Sequence, residues 1–173
     1  MASVVPEKGL NFSVYADGGE LLGVAEAKFP NGEFMTTEIK GAGIAGVIDS
    51  PGMGHMQSIT AELTWRTTTK EWANLLSPVG HVLDMYADHL SFDSGLGVYK
   101  HSQIHAFMRA VPKSWDAGKL VVSESTETKT THEIYYLKID IDGVNVLEID
   151  KYDFIYRVNG VNYLEQTRRN LGK

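Results

Sequence analysis

The chain has 173 residues, 43% of them hydrophobic, which is enough for a single domain over residues 1–173, and its lack of cysteine excludes disulfides and thiolate chemistry. No run approaches the roughly 18 to 20 consecutive apolar residues that span a bilayer, and no secretory signal is visible, so we expect a cytoplasmically made protein without stable membrane association. The net charge of −6 predicts weak binding to duplex DNA, because that affinity comes largely from contacts of Lys and Arg with phosphate.

Most of the chain shows the alternation of β-strands. Strands are predicted over Leu10 to Ala16, Leu21 to Phe29, Met56 to Trp65 and Tyr99 to Val111. In the last of these, alternation separates an apolar face from a mixed one. The apolar face holds Ile104, Ala106 and Met108, and the mixed face holds Gln103, His105, Phe107 and Arg109.

Residues 40–55 hold five glycines and one proline without a regular period, which predicts a long mobile loop. Gly41 to Gly46 satisfies the G-x-G-x-x-G pattern, with Glu62 at a suitable distance for a ribose-binding acid. A dinucleotide site also needs a helix that starts within the glycines. Pro51-Gly52 forbids that helix, so we expect a flexible loop and no cofactor.

One helix is predicted. Thr68-x-x-Glu71 is a capping-box pattern, and it is followed by a stripe of apolar side chains at helical spacing. The stripe consists of Trp72, Leu75, Leu76 and Val79, and Pro78 and Gly80 close the segment. Residues 81–92 fit either a helix or a strand, and we favour a strand from about Asp84. Ser123 to His132 is a Ser/Thr/Glu run that predicts an exposed loop or a strand end.

The strongest hairpin signal runs from Glu133 to Asp150, with Asp142-Gly143 as its two-residue turn. One face is apolar, with Tyr135, Leu137, Ile139 and Ile141. The other is expected to be solvent-facing, with Tyr136, Lys138, Asp140 and Asp142. The turn would place Ile141 opposite Val144 and Ile139 opposite Val146.

Catalytic and metal sites find little support. His101 and His105 would lie roughly 13 Å apart along a strand, too far to chelate one ion. The carboxylates of the hairpin, which are Asp140, Asp142, Glu148 and Asp150, have no positioned partner for acid–base chemistry. No G-x-S-x-G elbow occurs. We therefore expect no catalytic, cofactor or metal residues.

The C-terminal segment is basic. Residues 151–173 carry five basic and two acidic side chains, a balance of +3, which leaves 11 basic and 20 acidic ones in residues 1–150. A basic segment on an acidic body suits docking on a second copy, and a solvated tail is the alternative. Tyr152, Phe154, Tyr156 and Val158 alternate as in a strand. Arg168-Arg169 with Leu171 fits an interface anchor, since arginines pair bidentately with carboxylates.

The sequence over residues 134–173 resembles the C-terminal end of the major tail tube proteins of contractile-tailed phages. The resemblance lies in the motifs Glu148-Ile149-Asp150, Val158-Asn159-Gly160-Val161, Leu164-Glu165-Gln166 and Arg168-Arg169-Asn170-Leu171-Gly172. It is weaker but collinear at Lys40 to Gly43 and at Val111 to Gly118. It implies an antiparallel β-sandwich or partial barrel with one flanking α-helix, the tail-tube fold.

The resemblance also implies a structural role rather than an enzyme. Six copies would form a ring, and rings would stack into the inner tube of a contractile tail in the virion, or in a phage-tail-like particle, assembled in the bacterial host cytoplasm. Partners would be the chain itself, the tail sheath protein, baseplate or hub and tape-measure proteins, with DNA only in transit. The alternatives are the tube of a type VI-like secretion or injection machine and, with less support, a small-molecule enzyme.

Three groups of residues follow from the resemblance. The ring-stacking loop would include Lys40, Gly41, Ala42, Gly43 and Ile44. The subunit interface would include a C-terminal arm over residues 159–173, with Asn159, Gly160, Arg168, Arg169, Asn170 and Leu171. Asp140 and Asp142 are candidates for acids that face the channel or a neighbouring subunit.

Overall fold

The computed structural model describes residues 4–21 and 23–173, so residues 1–3 of the predicted domain and Leu22 of the predicted second strand lie outside the described residues. The described chain is mainly antiparallel β-structure, as predicted. Its strands are β1 (Val4–Ala16), β2 (Gly19–Glu20), β3 (Val24–Asn31), β4 (Phe34–Ile39), β5 (Ile48–Met56), β6 (Thr60–Trp65), β7 (His81–Asp93), β8 (Val98–Asp116), β9 (Thr128–Ile141), β10 (Val144–Asp150), β11 (Ile155–Val158) and β12 (Val161–Asn162). Its helices are α1 (Lys70–Asn74) and α2 (Glu165–Asn170), so a second short helix joins the one that was expected.

The main sheet branches at β9. Its strands follow the order β12-β11-β10-β9-β8-β7-β1-β2, while β6 pairs with the first half of β9 and with β3. β4 and β5 form a separate hairpin. Within the described residues the strands do not close into a barrel. Among these residues, β1 has no strand on its outer side except at its short pairing with β2, and β3 has none on its outer side.

The core lies between β6 and the β7–β8 half of the main sheet. Trp65, Leu63 and Met108 are fully buried there, and Trp72 of α1 covers one end. The alternation predicted for β8 is confirmed, since Ala106, Met108 and Ala110 are buried while Arg109 is exposed. Burying such side chains contributes about 1.5 to 3 kcal/mol each, so this cluster is the main source of stability.

The N-cap of helix α1 lies one residue later than predicted. Thr69 is the N-cap, and its hydroxyl accepts a hydrogen bond from the Trp72 backbone N–H at 3.2 Å. The helix ends at Asn74, so only the first part of the predicted stripe is helical. Val79 is 56% exposed and lies beyond the helix.

The β9–β10 hairpin has the predicted turn and one bulge, and β9 has a second bulge against β8. Asp142 and Gly143 both have positive φ, at 49° and 78°, as a two-residue type I′ turn requires. Ile141 pairs with Val144 as predicted, but Ile139 pairs with Leu147 because the ladder shifts between Asn145 and Leu147. The second shift lies in the ladder between β8 and β9, where Arg109 pairs with Tyr136 but Ala110 pairs with Ile134, so Tyr135 has no partner in that ladder.

The bulge at Tyr135 changes which face of β9 is buried. Before it, Thr128, Thr130, His132 and Ile134 are buried, and after it Leu137 is buried. Tyr135 therefore does not belong to one continuous apolar face with Leu137. A bulge adds one residue to one strand, and simple alternation cannot represent that.

Three other predicted boundaries are wrong. The predicted loop over residues 40–55 contains β5, so the connection between β4 and β5 covers only residues 40–47. For Ser123 to His132 the alternative of a strand end is confirmed, since β9 begins at Thr128, but the strand predicted from Tyr152 begins only at Ile155. The ambiguous segment 81–92 is strand β7, which starts at His81 and not at Asp84.

Candidate functional site

Half of the main sheet extends beyond the core. The first nine residues of β1 are exposed, and no residue from Asp88 to Phe92 of β7 is buried. Apolar side chains of this half are open to solvent, including Val4, Val5 and Tyr99, which are 49%, 47% and 58% exposed. An open strand edge with uncovered apolar faces is the structure that pairs with further strands.

A row of polar side chains crosses this sheet on one face. The strand registers place Ser13, Tyr86, His105, Asp140 and Asn145 beside one another, on β1, β7, β8, β9 and β10 in turn. The rings of Tyr86 and His105 stack at 4.2 Å, and His105 Nε2 lies 2.7 Å from Asp84 Oδ1. The row is the centre of a continuous face, which we call the polar face.

The polar face carries charges that are already paired. Lys138 Nζ donates to Asp140 at 2.9 Å, Arg157 pairs with Glu148, and the Arg109 guanidinium lies 5.4 Å from the ring centroid of Tyr136. Burial raises the pKa of the Asp140 carboxyl, but hydrogen bonds from Lys138 and Asn145 outweigh it, and the net pKa lies below the usual value. Asp140 therefore stays ionised at neutral pH.

Asp142 has a local structural role at the end of the same hairpin. Its carboxylate accepts hydrogen bonds from the Gln103 backbone N–H at 2.8 Å and from the Ser102 hydroxyl at 2.9 Å. These bonds join the β9–β10 turn to β8. The sequence placed Asp140 and Asp142 in one row, and the structure separates them into a residue of the polar face and a residue of the turn.

The predicted ring-stacking residues occupy the end of the β4–β5 hairpin. Lys40, Gly41, Ala42 and Gly43 are exposed, Ile44 is half-buried, and the Ile44 N–H donates to the Gly41 carbonyl at 3.2 Å. Gly41, Gly43 and Gly46 all have positive φ. The loop is thus an exposed hairpin end, without the strand-to-helix geometry that holds a dinucleotide.

The hairpin packs against the C-terminal segment. Gly54 of β5 has φ +70°, and a Cβ there would lie 2.7 Å from Leu164 Cγ. Leu164 is 4% exposed and so anchors the start of the predicted C-terminal arm. The base of the hairpin and the start of the arm, which are 110 residues apart in the sequence, are therefore in contact.

Beyond Leu164 the arm lies on the surface. None of the six described residues of α2 is buried, Arg169 pairs with Glu165 one turn earlier, and Leu171 is 57% exposed. Asn159 and Gly160, at φ 48° and 85°, form the turn between β11 and β12. The predicted interface residues Arg168, Arg169, Asn170 and Leu171 are therefore displayed and contribute little to the core.

One charged cluster has no signal in the sequence. Glu133 accepts hydrogen bonds from Ser58, from Lys113 Nζ at 3.0 Å and from Lys151 Nζ at 3.1 Å. Burial raises the pKa of Glu133, but the hydrogen bonds from these three donors outweigh that effect and lower the pKa to about 2. The cluster joins β8, β9 and the β10–β11 turn, so it serves the fold.

Among the described residues, no group of three or more His, Cys, Asp or Glu side chains could hold a metal ion. No helix in the described part of the chain is long and apolar enough to cross a membrane.

An open-edged antiparallel sheet, with exposed apolar faces and a displayed C-terminal arm, defines the class of structural subunits that assemble with copies of themselves. Comparison with known proteins identifies the family. The profile of the phage tail tube protein FII family matches residues 6–172, so the chain belongs to that family, whose members are structural proteins and not enzymes. It is also 39% identical over 69 residues to the tail tube protein of Escherichia phage P2, a match that spans 40% of this chain and 40% of that relative.

Proposed function

We propose that six copies of this chain form a ring and that rings stack into the inner tube of a contractile phage tail. Membership of the tail tube family supports a tube subunit of the virion tail. The observation that carries the ring is the open edge of β1 together with the uncovered half of the main sheet, because neighbouring copies can extend that sheet.

In this arrangement the polar face lines the channel. Its cations are already engaged by Asp140, Glu148 and the Tyr136 ring, so few remain to bind phosphate. Six copies with a net charge of −6 would carry about −36 per ring, which repels DNA and lets it slide in transit. The same tube could puncture a membrane in a headless particle.

The outer surface and the two ends of the tube would meet the other partners. These are the tail sheath protein around the tube, and baseplate or hub and tape-measure proteins at its start and within it. Assembly would take place in the bacterial host cytoplasm. The ring-stacking loop at residues 40–44 is the exposed far end of a hairpin whose base packs on Leu164 of the arm at residues 159–173, and both segments would contact neighbouring copies.

Negative-stain microscopy of the purified protein at high concentration tests the proposal. We expect rings and tubes with six subunits per ring. A truncated chain that ends at Glu165 should stay folded, since Leu164 is retained and α2 has no buried residue, but it should no longer polymerise. Circular dichroism monitors the fold of both proteins. Tubes of the truncated chain equal to those of the full chain would contradict a role for the arm.

A further inference from the structure

The connection between β8 and β9 presents an unusual apolar tip. Leu120, Val121 and Val122 are consecutive, and Leu120 and Val122 are 93% and 92% exposed. Three adjacent apolar side chains in solvent have no stabilising role in a monomer and are retained in native proteins where they serve a contact. We call these three residues the apolar tip.

The tip is held by hydrogen bonds at the base of its loop, around Gly118, Lys119 and Thr126, which we call the neck. Lys119 N–H donates to the Thr126 carbonyl at 2.9 Å, and Thr126 N–H donates to the Arg66 carbonyl at 2.7 Å. Gly118 has φ +71°, and a Cβ there would collide with the Thr126 carbonyl oxygen. Because the neck is already closed, the tip would lose little conformational entropy when it binds.

The same chain carries an apolar recess of about 340 Å³. Its lining includes Phe34, Met53, Tyr156, Val158 and Tyr163, which we call the aromatic recess. The rings of Phe34 and Tyr156 are 5.5 Å apart, while Met53 and Tyr163 are 70% and 51% exposed. The recess is therefore open and has room on the scale of aliphatic side chains.

The tip and the recess lie beyond opposite ends of strand β6. The neck of the tip bonds to Arg66, just after the last residue of β6. The recess begins at Phe34, next to the first residues of β6, where Gln57 N–H donates to the Glu33 carbonyl. The six residues of β6 separate the two ends by about 17 Å, so a tip cannot reach the recess of its own chain.

The charges around the two surfaces are complementary. The loop from Asp116 to Glu127 has three acidic residues and one basic residue, a balance of −2. Three recess residues belong to the segment 151–173, whose balance is +3, or +1 when Glu133 and Glu148, which pair with Lys151 and Arg157, are counted with it. Opposite charges around an apolar contact favour the correct partner and speed association.

We propose that the apolar tip of one copy inserts into the aromatic recess of a second copy stacked on it. This inference rests on the proposed tube. A contact between two different surfaces, here beyond opposite ends of β6, is heterologous, and its repetition builds an open stack when the rotation between copies does not close. The tip would thus add a second ring-to-ring contact to the one proposed for residues 40–44.

Cysteine crosslinking tests the contact directly, because the chain has no native cysteine. Tubes of the double variant Leu120→Cys, Tyr163→Cys, treated with a short bis-maleimide, should give a ladder of covalent multimers on denaturing gels. The double variant Leu120→Cys, Val79→Cys is the matched control, since Val79 is 56% exposed but lies outside the recess and outside the uncovered half of the sheet, and it should remain largely monomeric.

A charged substitution in the apolar tip provides a second test of the contact. Val122→Glu should raise the protein concentration needed for tubes at least tenfold, whereas Ser125→Glu, an exposed position in the same loop, should assemble like the wild type. If the wild type forms tubes but tubes of Leu120→Cys, Tyr163→Cys give no ladder, or if Val122→Glu assembles normally, the contact is overturned and the tube is left intact. Failure of the wild type to form any tube would overturn both.

Discussion

At the scale of single residues, the least usual environment is that of His132. It lies in a buried row with Thr128 and Thr130, all three fully buried, next to α1. Neither ring nitrogen of His132 makes a well-formed hydrogen bond to the residues that the structure describes. Burial lowers the pKa of His132 to about 4, although a backbone group of Leu75 partly offsets it. The imidazole is therefore neutral in the folded protein at neutral pH.

This environment predicts an acid-sensitive stability. The unfolded chain binds a proton at His132 below about pH 6.5, while the folded chain does so only near pH 4. The contribution of His132 is thus fully present above pH 6.5 and is lost as the pH falls towards 4. Loss of this contribution should lower the free energy of unfolding by about 3 kcal/mol between pH 7 and pH 4.

Urea unfolding at a series of pH values measures this loss. The variant His132→Leu should show a shallower dependence on pH between 6.5 and 4 than the wild type, whatever its absolute stability. His55→Leu is the control, since His55 is exposed and its replacement tests whether loss of a histidine outside the core has the same effect. Identical slopes for all three proteins would show that His132 titrates normally.

The environment of Gly54 gives a second prediction at the scale of single residues. Gly54 and Gly43 both have positive φ, so replacement of either by Ala costs about 1 kcal/mol in backbone strain. Only at Gly54 would the new methyl group also meet Leu164, whereas nothing lies within 4 Å at Gly43. Gly54→Ala should therefore be less stable than Gly43→Ala by about 1 to 2 kcal/mol in urea unfolding. Equal losses would mean that the hairpin is not packed on Leu164.

At the scale of elements, the β4–β5 hairpin is attached to the rest of the molecule mainly at its base. Phe34 contacts Tyr156, and Gly54 contacts Leu164, but residues 40–47 extend from the far end and are exposed except for Ile44. An element with few buried contacts opens more readily than the core. Its end can become ordered when a neighbouring ring covers it.

Amide hydrogen exchange should show this ordering. Residues 40–47 should exchange fast in the free subunit and slowly in the tube, while the buried strand β6 should be protected in both states. β6 is therefore the internal control. Equal exchange of residues 40–47 in the two states would place the loop away from any ring junction.

At the scale of the whole molecule, the branched sheet divides the protein into a stable half and an associating half. Around β6 the sheet is covered, and Trp65 and Leu63 are fully buried. Around the first part of β1 it is uncovered on both faces and open at its edge. Monomer stability and assembly thus depend on largely different residues, so they can be altered separately.

Charge reversal on the polar face tests which surface lines the channel. Asp140→Lys changes the charge by two per copy, or about 12 units in a ring of six. Tubes of this variant should retain short duplex DNA at low salt and release it as salt rises, because added cations bind phosphate. Loss of the Lys138 and Asn145 contacts should cost about 1 to 2 kcal/mol of subunit stability.

Asp153→Lys is the matched control, since Asp153 is exposed in the β10–β11 turn and lies off the polar face. It should leave DNA passage and tube assembly unchanged. If Asp140→Lys tubes released DNA like the wild type at every salt concentration, the polar face would not line the channel.

Local patterns in the sequence predicted the features that depend on neighbouring residues. Alternation separated Ala106 and Met108 from Arg109, and Asp142-Gly143 predicted a tight turn, because side-chain direction and turn geometry are set within a few residues. The C-terminal motifs were enough to predict the tail tube family, which the family profile confirmed.

Pairing between distant strands was decided only by the tertiary structure. The bulge at Tyr135 depends on its neighbour β8, and the Asp142 carboxylate reaches a backbone group 39 residues away. The apolar tip left a local signal, three apolar residues within a turn-rich segment, but its recess is assembled from β4, β5, β11 and the residue after β12. Sequence periodicity records which face a side chain occupies, whereas long-range packing determines what covers that face and what remains open to another copy.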